Sequence, residues 1–198
     1  MALTSPIYWS PRIYRAVMRA LYGSELEERY RTVDRLIPDG SRVVELCCGC
    51  GYLYEHYLRP RRIDYLGLDL LPAMMSRLRK MGARVEAVDV VKGVVPNGDY
   101  VIMLGSLYHF HPQEACILRK MAASGTGIVL EPTQNLSQST NRMIRLLARS
   151  MSFISGTSSA YRLTSERMDE VIAEAGVHVV STTEVLHGQY RLTVFQRA

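Results

Sequence analysis

A glycine-containing loop, a carboxylate about twenty residues beyond it and a histidine pair further on are the groups in this sequence that could do chemistry together. The loop closes Val43-Val44-Glu45-Leu46-Cys47-Cys48-Gly49-Cys50-Gly51-Tyr52-Leu53, where an apolar run ends and a helical segment follows. Glycine lets the backbone take positive φ and lets a ligand approach the main chain, and free N–H groups at a helix start favour a negative group. Gly49 and Gly51 therefore predict a cradle for a nucleotide-like ligand, with a plain strand-to-helix turn as the alternative. Tyr65-Leu66-Gly67-Leu68-Asp69 ends a second apolar run in a carboxylate, near the spacing at which an acid meets a ribose diol. A dinucleotide fingerprint would place a third glycine at position 54; the residue is Tyr54, which sets NAD aside.

Gly105-Ser106-Leu107-Tyr108-His109-Phe110-His111-Pro112 follows the fourth apolar run. Histidine titrates near neutrality, so His109 is the candidate to take a proton from an acceptor or to orient it. His111 is the second candidate and Tyr108 a wall, the alternative being a histidine bonded to a loop carbonyl. Glu131, Asn135 and Arg162 lie after the fifth run and are candidate acceptor contacts.

The elements that must position these groups alternate. Apolar runs predict strands near 42–47, 64–69, 84–88, 99–105 and 127–131, with helices near 51–58, 72–81 and 112–123. Such alternation means a parallel sheet covered on both faces, with ligands at the carboxyl ends of the strands. A helix near 165–175, stopped by Gly176, precedes two β-rich runs, Val177–Leu186 and Tyr190–Phe195, spaced for a hairpin. Residues 1–38 form a helical arm, with helices at 11–22 and 24–36, and 39–198 the ligand-binding unit, one structural domain in all.

The 198 residues, 47% hydrophobic, suffice for one sizeable core. No apolar stretch reaches the length of a membrane span and no secretory pattern opens the chain, so the expectation is cytoplasmic. Three of four cysteines crowd into Cys47, Cys48 and Cys50, which close no useful disulfide ring and lack a spaced fourth metal ligand. Reduced thiols and no metal are expected. A net charge of +5 attracts anions only weakly.

The loop and the carboxylates in order resemble the class I S-adenosylmethionine (SAM) methyltransferases, whose first motif is an acidic residue followed by Gly-x-Gly-x-Gly. Glu45, Gly49 and Gly51 fall on that pattern, and Cys47 stands where the first glycine would. The Cys-Cys-Gly loop is similar to a variant in quinone-biosynthesis C-methyltransferases. The resemblance runs from about Asp39 onward and implies SAM as cofactor, held by Glu45, Cys47, Gly49, Gly51, Asp69, Leu70 and Gly105. It implies Asp89 at the adenine amine, with Val90 against the ring. The fold it implies is α/β and Rossmann-like, a doubly wound, mostly parallel seven-stranded sheet with a terminal antiparallel hairpin. Aromatic residues of the arm, Tyr14 among them, would close over the site.

The strand-four segment lacks the Asn/Asp-Pro-Pro-aromatic motif of enzymes that methylate exocyclic base amines, so nucleic acid is disfavoured. The expected activity is methyl transfer to a small or lipid-like acceptor; an RNA-modifying enzyme and a non-catalytic SAM-binding scaffold are the alternatives. Arg12, Arg15 and Arg19, like Arg142, Arg145 and Arg149, recur at i, i+3, i+7, which predicts two basic helix stripes. Ile13, Val17, Ala20 and Leu21 lie opposite the first stripe. The stripes suggest a peripheral contact with anionic membrane, where a hydrophobic acceptor would be met.

Overall fold

The computed structural model describes residues 25–133 and 163–198, together with Ser10, Arg12, Ile13, Arg15, Ala16, Arg19 and Gly23 ahead of them. The apolar runs form β1 (Arg42–Leu46), β2 (Asp64–Asp69), β3 (Arg84–Ala87), β4 (Tyr100–Leu104), β5 (Thr126–Pro132), β6 (Val177–Val185) and β7 (Tyr190–Arg197). Between them lie α1 (Glu25–Asp34), α2 (Pro72–Lys80), α3 (Glu114–Ser124) and α4 (Ser165–Ala175). The seven strands make one sheet in the order β3-β2-β1-β4-β5-β7-β6. β1 to β5 pair in parallel, and β7 runs antiparallel between β5 and β6. The order reverses direction between β1 and β4, and in a doubly wound sheet that reversal opens a crevice at the carboxyl ends of the strands.

Successive residues of the inner strands serve opposite faces, which is why those strands read as continuous apolar runs. Val43, Tyr65, Ile102 and Ile128 pack with Leu26, Val33, Met75 and Leu78 from α1 and α2. Val44, Leu66, Val101 and Val129 pack with Ile117, Leu118, Val171 and Ile172 from α3 and α4. α4 begins as its sequence predicts: the Thr164 hydroxyl accepts the Arg167 N–H at 3.2 Å, and Gly176 takes a left-handed φ of 63° at its end.

Three local features differ from the expectations. The helix after the glycine loop winds as a π turn at Tyr54–Leu58, with the Arg59 N–H bonded to the Tyr54 carbonyl at 2.8 Å. Tyr52, just ahead of this turn, stacks on Tyr30, and Tyr54 lies tilted against Tyr65, with centroids 4.6 and 4.5 Å apart. A 3-10 turn, Leu107–Phe110, precedes α3, which starts at Glu114.

The third difference corrects the first basic stripe. Ile13, assigned to the apolar face, is 52% exposed, whereas Arg15 is half-buried and ion-paired with Glu55 at 2.8 Å. Glu55 belongs to the π turn, so it supplies the acid that the arginine helix itself lacks. Arg19 lies 3.9 Å from Glu27, and Arg142, Arg145 and Arg149 fall outside the described residues. Among the described residues no helix is long and apolar enough to cross a membrane, and no group of three His, Cys, Asp or Glu side chains could hold a metal ion.

Candidate active site

The loop between β1 and the π turn takes the backbone that glycine favours at three positions: Cys47 (φ 55°), Gly49 (φ 53°) and Gly51 (φ 74°). Cys47 therefore adopts the left-handed geometry of the glycine it replaces, a conformation that is strained for a residue with a Cβ. The loop is tied to β2 by the Cys48 N–H on the Leu68 carbonyl (3.1 Å) and, decisively for the chemistry, by the Gly49 N–H on Asp69 Oδ2 (2.8 Å). Asp69 Oδ1 accepts the Leu71 N–H at 2.9 Å. Burial raises the Asp69 carboxyl above its ordinary value, against the amide hydrogen bonds that lower it. The glycine loop and the acid twenty residues later thus share one rim, with Leu70 beside them and 60% exposed.

A Cβ on Gly51 would meet Leu78 Cδ2 at 2.1 Å, and Leu78 of α2 is fully buried. The close approach seats α2 against the loop. Gly51→Ala adds that overlap to a left-handed φ, so we expect a loss of about 3 kcal/mol in unfolding free energy, read from urea denaturation.

Glu45 is 4% exposed beneath the loop, where it accepts the Tyr65 hydroxyl at 2.6 Å; desolvation pushes its carboxyl up to about 7. It supports the cradle from below. Burial also pushes the Cys47 and Cys48 thiols up, and Cys50 up to about 11, so these are protonated, unreactive side chains.

At the end of β4, Gly105 is left-handed (φ 59°), and the 3-10 turn that follows carries Tyr108 and His109, whose rings are 4.0 Å apart. Burial pushes His109 down to about 4, which keeps its imidazole neutral at physiological pH. Glu131, on β5, is 2% exposed; its Oε1 accepts the N–H groups of Ser106 (2.7 Å) and Leu107 (2.8 Å). Its carboxyl is raised to about 7, by desolvation first.

Residues 27–133, just over half of the 198, match the family model described as methionine biosynthesis protein MetW. The chain belongs to the MetW family. No curated protein matches it in sequence. The MetW-family chain has the fold of class I SAM-dependent methyltransferases, shared with several solved structures. A chain from the complex between the Haloferax volcanii Trm112 methyltransferase activator and its methyltransferase aligns at TM-score 0.73 and 16% identity, over 96% of this chain and 97% of that one. A TehB-like SAM-dependent methyltransferase from Corynebacterium glutamicum aligns at 0.67 and 16%, over 98% and 100%. Magnesium protoporphyrin IX methyltransferase from Synechocystis, with bound S-adenosylhomocysteine (SAH), aligns at 0.66 and 14%, over 91% and 87%.

Of the remaining predicted residues of the MetW-family chain, Asp89, Val90 and His111 are described. Asp89 follows β3, half-buried, and accepts the Val91 N–H at 3.0 Å, which closes a turn. Val90 is 3% exposed and packs in the core; of the flanking valines, Val88 and Val91 are half-buried. His111 is held by Glu114, its Nδ1 3.0 Å from Oε1. Tyr14, Asn135 and Arg162 lie outside the described residues.

Arg29 was not anticipated. It is 5% exposed on the apolar face of α1 and donates to the hydroxyls of Tyr190 (3.2 Å) and Tyr30 (3.1 Å), tying α1 to the start of β7. Its signal was present: Leu26, Arg29, Tyr30 and Val33 stand at i, i+3, i+4, i+7, the spacing of a buried helix face.

Proposed function

We propose that this MetW-family protein transfers the methyl group of SAM to a small-molecule acceptor. The observation that carries the reading is the Gly49 N–H on Asp69 Oδ2 at 2.8 Å, which sets a glycine loop beside a carboxylate suited to a ribose diol. An ionised carboxylate has about four acceptor positions. The Gly49 and Leu71 amides therefore leave capacity on Asp69 for a diol. Exposed Leu70 offers an apolar surface for a flat ring beside it.

Cys47 to Gly51, Asp69, Leu70, Asp89 and Gly105 would hold SAM, which supplies an electrophilic sulfonium methyl. The protein's own tasks are to align the acceptor, exclude water and manage one proton. Neutral His109, beside Tyr108 after β4, orients the acceptor by a hydrogen bond and can receive its proton. A small, apolar acceptor is supported by the half-buried rings of Tyr108, His109 and Phe110 on this turn and by the fold shared with the magnesium protoporphyrin IX enzyme.

Charge disfavours a nucleic-acid acceptor. Residues 59–84 hold seven basic and two acidic residues, a surplus equal to the whole net charge of +5. Six of the seven, Arg59, Arg61, Arg62, Arg79, Lys80 and Arg84, precede or open β2 and β3, at the end of the sheet away from the proposed site. The pairing with Glu55 commits Arg15, one arginine of the first stripe, to a contact within the protein.

Calorimetry of the wild-type protein with SAM and SAH tests the reading, followed by labelled-methyl transfer into a small-metabolite extract. One equivalent of each should bind, and label should enter a low-molecular-weight product. A folded protein that binds neither compound overturns it.

A further inference from the structure

Glu131 spans two strands that the sequence separates by more than twenty residues. Its Oε1 takes the N–H groups of both Ser106 and Leu107, the residues that launch the turn carrying Tyr108 and His109. The start of that turn is further fixed by the Gly105 N–H on the Leu130 carbonyl (2.8 Å) and the Ser106 hydroxyl on the Leu104 carbonyl (3.2 Å). Glu131 Oε2 is buried with no hydrogen-bond partner among the described residues. One oxygen of this carboxyl is thus committed to the turn, and the other is the atom left to carry a proton. An ionised acceptor makes much stronger bonds to backbone N–H groups than a neutral one.

We propose that Glu131 is a positioning residue of the acceptor side, holding the Tyr108–His109 turn against β5 when ionised and loosening it when Oε2 takes a proton. The role of the turn rests on the methyltransferase reading above; the coupling itself does not. Three amides of the turn, those of Leu107, Ser106 and Tyr108, favour the charged form. Arg29 of α1 favours the charged form. Cys47, after β1, stays neutral because burial raises its thiol. Arg191, opposite Glu131 in the β5–β7 register, is turned to the Ser165 carbonyl (2.8 Å) and Asp169 (2.5 Å). In the turn, His109 is neutral above about pH 4 and so contributes no competing charge near neutrality. Desolvation is the largest influence and sets the transition at about 7.

The test is a series of amide nitrogen–proton spectra of the full chain between pH 5.5 and 8.5, for wild type and Glu131→Gln. Glutamine keeps an oxygen for the two amides but cannot titrate. In wild type the Ser106 and Leu107 amides should shift with a midpoint near 7, and in Glu131→Gln they should stay flat while SAH affinity remains within a few-fold. The native chain retains this proton up to about 7, whereas the unfolded chain releases it near the ordinary 4.5. The stability it contributes is therefore full below 4.5 and is lost as pH rises through 7. Glu131→Gln should remove that part of the decline in melting temperature. Amides that do not move, or that move equally in the variant, overturn the proposal. Should the variant not fold, the wild-type carboxyl carbon of Glu131 must share one midpoint with both amides, and separate midpoints overturn it. Titrating amides in a protein that binds no SAH would defeat the methyltransferase reading and leave the coupling standing.

Discussion

Asp69→Ala should weaken SAH binding by roughly 10²-fold or more in calorimetry, with the protein still folded. A hydrogen bond to a charged group is worth about 1.5–3 kcal/mol, and about 1.4 kcal/mol is a tenfold change in affinity. Two bonds to a ribose diol therefore give a loss of at least that size. Asp69 also holds the loop it faces, because its two oxygens accept the Gly49 and Leu71 amides at 2.8 and 2.9 Å. Alanine leaves both N–H groups without this acceptor and frees the left-handed stretch from Cys47 to Gly51. Asp69→Asn separates the two contributions: its amide oxygen can keep one backbone bond, so the loop should hold better than in alanine while diol binding still falls. Unchanged affinity in a folded Asp69→Ala protein would remove Asp69 from the site.

The strands were legible because β1, β2, β4 and β5 are buried on both faces, and continuous apolar runs ending in glycine or a carboxylate have few other meanings. The hairpin was legible from spacing, and β7 lying inside β6 follows from its antiparallel pairing to β5. What escaped the sequence reading depends on partners far along the chain. Glu55 joins Arg15, forty residues before it, to Arg77, twenty-two residues after it, and the Arg77 hydrogen bond holds its carboxyl below the usual range. No periodicity within the arginine helix could show that acid, so the stripe read as solvated and available.

Glu131 illustrates the same limit at the site. Its position after the fifth apolar run marked it as an acceptor contact, but its register places it 2% exposed beneath the β4 turn. Glu45 was legible as a motif residue and illegible as a support, since that role needs the Tyr65 hydroxyl twenty residues away. Residue type and spacing singled out these carboxylates; burial separates half-buried Asp69 from buried Glu45 and Glu131, which accept hydrogen bonds within the fold.

His109→Ala should leave SAH affinity within a few-fold of wild type and lower the methyl-transfer rate by about 10²-fold, measured with the acceptor that the labelled extract reveals. The two effects separate because His109 stands on the turn after β4, whereas the Gly49–Asp69 pair that would hold the cofactor stands after β1 and β2. The pH dependence distinguishes what the histidine does. A free imidazole would give an inflection near 6.5, but burial pushes His109 down to about 4, so it is already neutral across the physiological range. Its protonation should therefore not limit the rate until pH falls toward 4. An inflection near neutrality should instead follow Glu131, raised to about 7, and should vanish in Glu131→Gln. A low pKa also makes His109 a weak base near pH 7, which favours hydrogen-bonded orientation of the acceptor over proton removal. His109→Gln should then recover part of the rate, because an amide can accept or donate a hydrogen bond without titrating. Full activity in His109→Ala would reduce the residue to a packing partner of the Tyr108 ring 4.0 Å away.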